Sequence, residues 1–199
     1  MTNEKEEKKE KKIPPLTQEE LDSKIEMATQ TLDRNISFIS SCDNKASIIL
    51  TAIGVFFTII LTSDGLKKVF YIVNHCINEK SFWSIFYLVL FAGVCITLAL
   101  GIFYLSTVLI ARTTEKNTDD EYNSLIFFSG IKKSCNYTTY MNNFCLMSKE
   151  ALLYDLIRQI YINADIASIK YANYNLGLKC TITGFILFLL LLIVGIYSF

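Results

Sequence analysis

Apolar positions in this chain are distributed in two ways. Three stretches carry no Asp, Glu, Lys, Arg or His: Ala46–Ser63, Ser81–Ala111 and Cys180–Phe199, of 18, 31 and 20 residues. A helix needs about 20 mostly apolar residues to cross a hydrocarbon layer about 30 Å thick. The second and third stretches meet that length, and the first meets it once Asn44, Lys45 and Asp64 reach to the interface. Outside the stretches the apolar residues recur at helical spacing. Leu21, Ile25, Ala28, Leu32, Ile36 and Ile39 step by four and three, and Leu153, Leu156, Ile157, Ile160, Ala164, Ala167, Tyr171, Tyr174 and Leu178 hold one helical face. Thr17 followed by Glu20 is a capping box, so a helix is predicted to start there. With no Pro or Gly before Gly54, it runs unbroken into the first span. A second long helix is predicted from Ser148 to Phe199.

The fold class is therefore an all-α membrane protein with three transmembrane helices and long cytosolic helical extensions. Its parts are a charged disordered tail (1–16), a cytosolic amphipathic helix (17–45), a first span (46–63), an external loop (64–80), a second span (81–111), a cytosolic helical segment (112–179) and a third span (180–199). Within the 112–179 segment, Asn117–Ser124 reads as a loop and Ser134–Met147 as a helix. Leu125–Ile131 is too short to separate strand, turn and docking loop. The second span would extend roughly 46 Å, longer than a membrane needs. Gly93, Thr97 and Gly101 lie four apart on it, a spacing that lets helices approach closely, within one subunit or between subunits.

Charge sets the orientation. Lys and Arg number 8 before the first span, 3 in 64–80 and 8 in 112–179. Positive-inside reasoning places the N-terminus in the cytoplasm and the C-terminus outside, as expected of a multi-pass membrane protein. The first apolar run begins 45 residues in and has no small-residue cleavage site, so it reads as a retained anchor. The net charge is zero, and the lysines of 5–12 are interleaved with glutamates, so no nucleic-acid footprint is present. Six scattered cysteines without a C-x-x-C pair and a single histidine, His75, argue against a disulfide framework or a zinc site. No cofactor is implied.

Catalytic motifs are lacking as well. There is no G-x-S-x-G, H-E-x-x-H, Walker loop or G-x-G-x-x-G, and Asp119-Asp120 reads as a solvated turn. The expectation is a protein without enzyme activity. Chemistry that could recognise a ligand lies where the extensions meet the membrane. Arg34, Lys45 and Lys170 offer cationic donors for a phosphate, and Asn35, Asn44 and Gln159 offer amides for a base edge. Asp43 joins them at the boundary, where Asp43 and Lys45 could also be simple interface anchors.

Asp43-Asn44-Lys45-Ala46-Ser47 leading into the first span resembles the D-x-K-A motif of the Pycsar transmembrane effector family. Asp155-Leu156-Ile157-Arg158-Gln159-Ile160 and Ile169-Lys170-Tyr171, ahead of the third span, are similar to that family too, as is Phe127-Phe128-Ser129-Gly130-Ile131. The likeness covers roughly residues 30–199. It implies a bacterial anti-phage effector activated by a cyclic pyrimidine nucleotide, cyclic UMP or cyclic CMP, made by a partner pyrimidine nucleotide cyclase. It further implies impairment of the inner membrane and abortive infection. The chain shows no separate nucleotide-binding domain, so the juxtamembrane helices would form the site, within one chain or between the subunits of a homo-oligomer. Two other readings fit the residues: a non-sensing membrane scaffold that recruits a cytosolic partner, and a small constitutive pore-forming toxin.

Overall fold

The computed structural model describes residues 16–60, 62–79, 81–111, 124–134 and 136–198. Six helices follow in order among them: α1 (Gln18–Ile60), α2 (Ser63–Glu79), α3 (Phe82–Leu109), α4 (Phe128–Lys133), α5 (Tyr137–Cys145) and α6 (Lys149–Ser198). No strand occurs among the described residues. Three helices, α1, α3 and α6, are long and apolar enough to cross a membrane. The fold is thus all-α with three membrane helices, two of them extending well past the length of a span. The tail 1–15, the turn expected at Asp119-Asp120 and most of the 117–124 loop lie outside the described residues.

The start of α1 shows its cap directly. Thr17 donates its backbone N–H and its hydroxyl to the Glu20 carboxylate, each at 2.9 Å, and the Glu20 N–H returns a bond to the Thr17 hydroxyl at 3.3 Å. These donors hold the Glu20 carboxyl below its ordinary range.

Beyond the cap, one register governs the helix. Leu21, Ile25, Ala28, Leu32, Asn35, Ile39, Cys42, Ala46, Ile49, Ile53, Phe56 and Ile60 are all buried or half-buried, at alternating steps of four and three. Their mean period of 3.5 is the heptad of a left-handed supercoil. The register passes from the polar part of α1 into its charge-free part without a break. It also corrects the sequence stripe at one point. Asn35 occupies the seam and Ile36 is 48% exposed. A 3.5 period selects position 35 between 32 and 39, and the amide is tolerated because its Nδ2 donates to the Ile160 carbonyl at 3.3 Å.

The described residues divide into two compact units, one of 16–32 and 124–159, the other of 33–111 and 160–198. In the second unit α1 and α6 run parallel, with Asn35 bonded to Ile160, Asp43 to Lys170, and Phe56 stacked edge-on to Phe185 at 4.3 Å between centroids. Helix α3 runs antiparallel to α6. A Cβ built at Gly101 would meet Thr181, at Gly177 Leu105, at Gly184 Leu98, and at Gly195 the Tyr87 hydroxyl, all at 2.5–2.9 Å. Those glycines and small residues let the two backbones approach, the role such residues have in membrane bundles. Tyr87 adds a bond from its hydroxyl to the Leu191 carbonyl at 2.9 Å. Gly101 is therefore a packing residue. Gly93 meets no neighbour among the described residues: a Cβ there would find nothing within 4 Å, and the Thr97 hydroxyl folds back onto the Gly93 carbonyl. The packed face of α3 is Tyr87, Val94, Leu98, Gly101, Leu105 and Val108, and Gly93 stands one residue off it.

Residues 63–79, expected as loop, form α2. Ile72 and Cys76, one helical turn apart, bury themselves against Tyr87, and the helix is the means of covering them.

In the first unit, Leu21, Ala28, Leu153 and Leu156 are buried. Lys149 pairs with Asp22 on its surface, where such a pair adds little. The seam of α6 also differs from the expected stripe. Ile157 is 50% exposed, whereas Gln159 and Lys170 are buried. Hydropathy alone ranks these positions the wrong way round, because the seam carries polar and small residues rather than uniformly apolar ones.

Candidate functional site

The motif at the first-span boundary becomes a joint between two helices. The Lys170 ammonium lies 2.6 Å from the Asp43 carboxylate, with the lysine side chain 4% exposed and the aspartate 34%. Next to Asp43 on α1, Cys42 and Ala46 are fully buried against Leu105 and Val108 of α3, with Tyr171 and Tyr174 of α6 alongside. One turn beyond Lys170, the Asn173 amide donates to the Thr107 hydroxyl at 3.2 Å. All three long helices thus meet around one buried cation. Its geometry follows from the heptad: Lys170 falls on the α6 seam, and Asp43 adjoins the seam residue Cys42. A charge so placed is tolerated because it is paired and hydrogen-bonded.

The remaining expected ligand residues separate into groups. Arg34, Asn44 and Lys45 are exposed. Asn35 is half-buried and engaged with the α6 backbone. Gln159 is buried in the first unit, 2% exposed. The structure brings Asp43 and Lys170 together and gives Asn35 a backbone partner. Arg34, Asn44 and Lys45 belong to the second unit and Gln159 to the first. A phosphate could reach Lys170 only if its pair with Asp43 parted. Among the described residues no three of His, Cys, Asp and Glu converge as a metal site.

A second polar centre lies in the first unit, and sequence reasoning did not single it out as a site. Asp155, fully buried on α6, accepts from the Ser124 hydroxyl and from the Leu125 N–H, both at 3.0 Å. The same Ser124 oxygen accepts from the Ile126 and Phe127 N–H groups at 3.3 and 3.0 Å. The Tyr140 hydroxyl donates to the Leu125 carbonyl at 3.0 Å. This network bends the chain into α4, so the 125–131 run is a turn leading into a short helix. Gly130 is required there, since a Cβ would sit 2.2 Å from the Ser124 carbonyl oxygen. The glycine in the aromatic-glycine motif was the sequence signal for this crossing.

Fold and joint together define a three-span helical membrane protein whose two parallel helices are pinned by a buried ion pair as they enter the spans. Residues 27–196 match the family described as Pycsar effector protein domain, and the chain belongs to that family. It is similar to the Pycsar effector protein GmPycTM of Gulbenkiania mobilis, 27% identical over 177 residues, 83% of this chain and 90% of the relative. No solved structure matches. As a Pycsar effector it is an anti-phage defence protein.

Proposed function

We propose that this protein is the membrane effector of a Pycsar system, activated by a cyclic pyrimidine nucleotide, cyclic UMP or cyclic CMP, that a partner pyrimidine nucleotide cyclase makes during infection. Activation impairs the inner membrane and ends the infection by loss of the host cell. The observation that carries this reading is the Asp43–Lys170 pair at the seam of α1 and α6. A ligand shifts an equilibrium only by binding one state better than another. A buried pair between parallel helices is a contact that two arrangements would satisfy differently.

The nucleotide would be met by the exposed cations of α1, Arg34 and Lys45, with Asn35 and Asn44 as amide donors and acceptors. Lys170 would join the phosphate when it leaves Asp43. A homo-oligomer in the inner membrane, N-terminus in the cytoplasm and C-terminus outside, suits the exposed face of Tyr154, Ile157 and Tyr161 on α6, which are 66%, 50% and 77% exposed. No catalytic group is assigned, and the protein acts without turning over a substrate.

Titration calorimetry on the purified full chain with cyclic UMP, cyclic CMP and cyclic AMP tests the sensing step. Saturable binding of one pyrimidine nucleotide, weakened at least tenfold in Arg34→Gln/Lys45→Gln, is expected. Binding of neither pyrimidine nucleotide would leave the scaffold reading in its place.

A further inference from the structure

Helix α1 stops short of the other two. Ile60 packs beside Val94, Leu98 and Phe188, whereas α3 starts at Phe82, twelve residues and about 18 Å before Val94. The space above the end of α1 is filled by α2, which rests Ile72 and Cys76 on Tyr87. This places α2 at the membrane face opposite the Asp43–Lys170 joint. Exposed aromatic residues mark the same level: Phe82 and Trp83 are 76% and 72% exposed, and Tyr197 is 88% exposed. Aromatic rings gather where hydrocarbon gives way to headgroups.

Between α2 and the end of α6 runs an open groove of about 410 Å³ lined by Lys67, Lys68, Tyr71, Ile72, Gly195 and Ile196. Its floor is apolar. Gly195 draws α6 close against Tyr87 and Ile72 along one wall, since a Cβ there would come within 2.5 Å of the Tyr87 hydroxyl and 3.1 Å of Ile72. Its rim is cationic. Lys67 lies 3.7 Å from Asp64, with both side chains more than three-quarters exposed, so that pairing is loose. Lys68 is exposed beside it. Two ammonium groups over an apolar trough, at headgroup level, match one kind of molecule. A phospholipid presents a phosphodiester to the rim and an acyl chain to the floor, and basic residues close to a membrane surface attract anionic headgroups.

We propose that the α2–α6 groove is a binding site for an anionic phospholipid of the leaflet facing α2, held by Lys67 and Lys68 through its phosphate and by Ile72 and Ile196 along its chain. The site is separate from the nucleotide reading and stands whether or not that reading holds.

Trp83 is the single tryptophan of the chain, which allows a spectroscopic test. Trp83→Phe/Tyr71→Trp places the one fluorophore in the groove. The full chain is reconstituted in phosphatidylcholine bilayers that contain a tenth of acyl-brominated lipid, either phosphatidylglycerol or phosphatidylcholine. Brominated phosphatidylglycerol should quench at least twice as strongly. Adding Lys67→Gln/Lys68→Gln should erase that excess while helical content stays unchanged, and millimolar inorganic phosphate should leave it intact. Equal quenching by the two lipids would overturn the proposal, as would an excess that survives the double glutamine variant. Loss of the excess on adding inorganic phosphate would also overturn it, by making the site one for a free anion.

Discussion

Asp43→Ala is expected to destabilise the protein far more than Lys170→Met, although both remove the same ion pair. The lysine side chain is 4% exposed and the aspartate 34%. Removing the carboxylate strands an ammonium in an apolar seam, where an uncompensated buried charge costs about 3–5 kcal/mol. Removing the lysine with a side chain of similar length leaves a carboxylate that water already reaches in part, and the expected loss is about 1–2 kcal/mol. Asp43→Leu/Lys170→Met, which removes both charges, should return close to the parent stability, as apolar replacements of buried pairs do. Thermal unfolding in detergent, followed by circular dichroism, reads all three. Lys45→Ala, two residues along on the exposed side of α1, should leave the midpoint where it is. The double apolar variant also separates structure from signalling. It should insert and fold normally yet fail to arrest cells that express the cyclase. Equal losses from the two single substitutions would show that the pair is solvated and is not a joint.

The second large effect is expected at Asp155. Two donors, the Ser124 hydroxyl and the Leu125 N–H, end on its buried carboxylate. Hydrogen bonds to a charged acceptor contribute about 1.5–3 kcal/mol each. Asp155→Ala should therefore cost about 3 kcal/mol or more, concentrated in the first unit. Asp155→Asn keeps one acceptor oxygen in reach of both donors, so it should retain roughly half of that stabilisation. Amide exchange distinguishes a local from a general effect. Leu125 and Phe127 should lose protection in the alanine variant, while the amides of α3 keep theirs. Uniform loss along every helix would mean that the network supports the whole chain rather than the turn into α4.

Much of this architecture could be read from the sequence, for identifiable reasons. Charge-free length specifies α1, α3 and α6 as membrane helices, because hydrocarbon thickness sets a count of residues. The Thr17–Glu20 cap and the absence of Pro and Gly specify the long first helix. What escaped the pattern is polar or small. Asn35, Gln159 and Lys170 lie on seams although their side chains are polar, since each is buried with a specific partner or setting that hydropathy does not encode. Gly177, Gly184 and Gly195 pack as tightly as leucines would, but through backbone approach. Helix α2 hid behind its charges: Lys67, Lys68, His75 and Glu79 mask a buried face of Ile72 and Cys76. The candidate ligand residues share polar or charged chemistry and a place near the ends of the helical extensions. Two of them, Asp43 and Lys170, pair with each other across the α1–α6 seam, a contact that sequence separation hides. Ser124 and Asp155 stand 31 residues apart, and no local spacing rule joins them.

The most direct measurement is dye release from sealed liposomes that carry the purified full chain, read with and without added cyclic UMP, cyclic CMP or cyclic AMP. Vesicles should be tight in the absence of nucleotide, release dye rapidly with one pyrimidine nucleotide, stay tight with cyclic AMP, and give no response in Asp43→Leu/Lys170→Met. Release without any nucleotide, or vesicles that stay tight with both pyrimidine nucleotides, would rule out a nucleotide-gated effector.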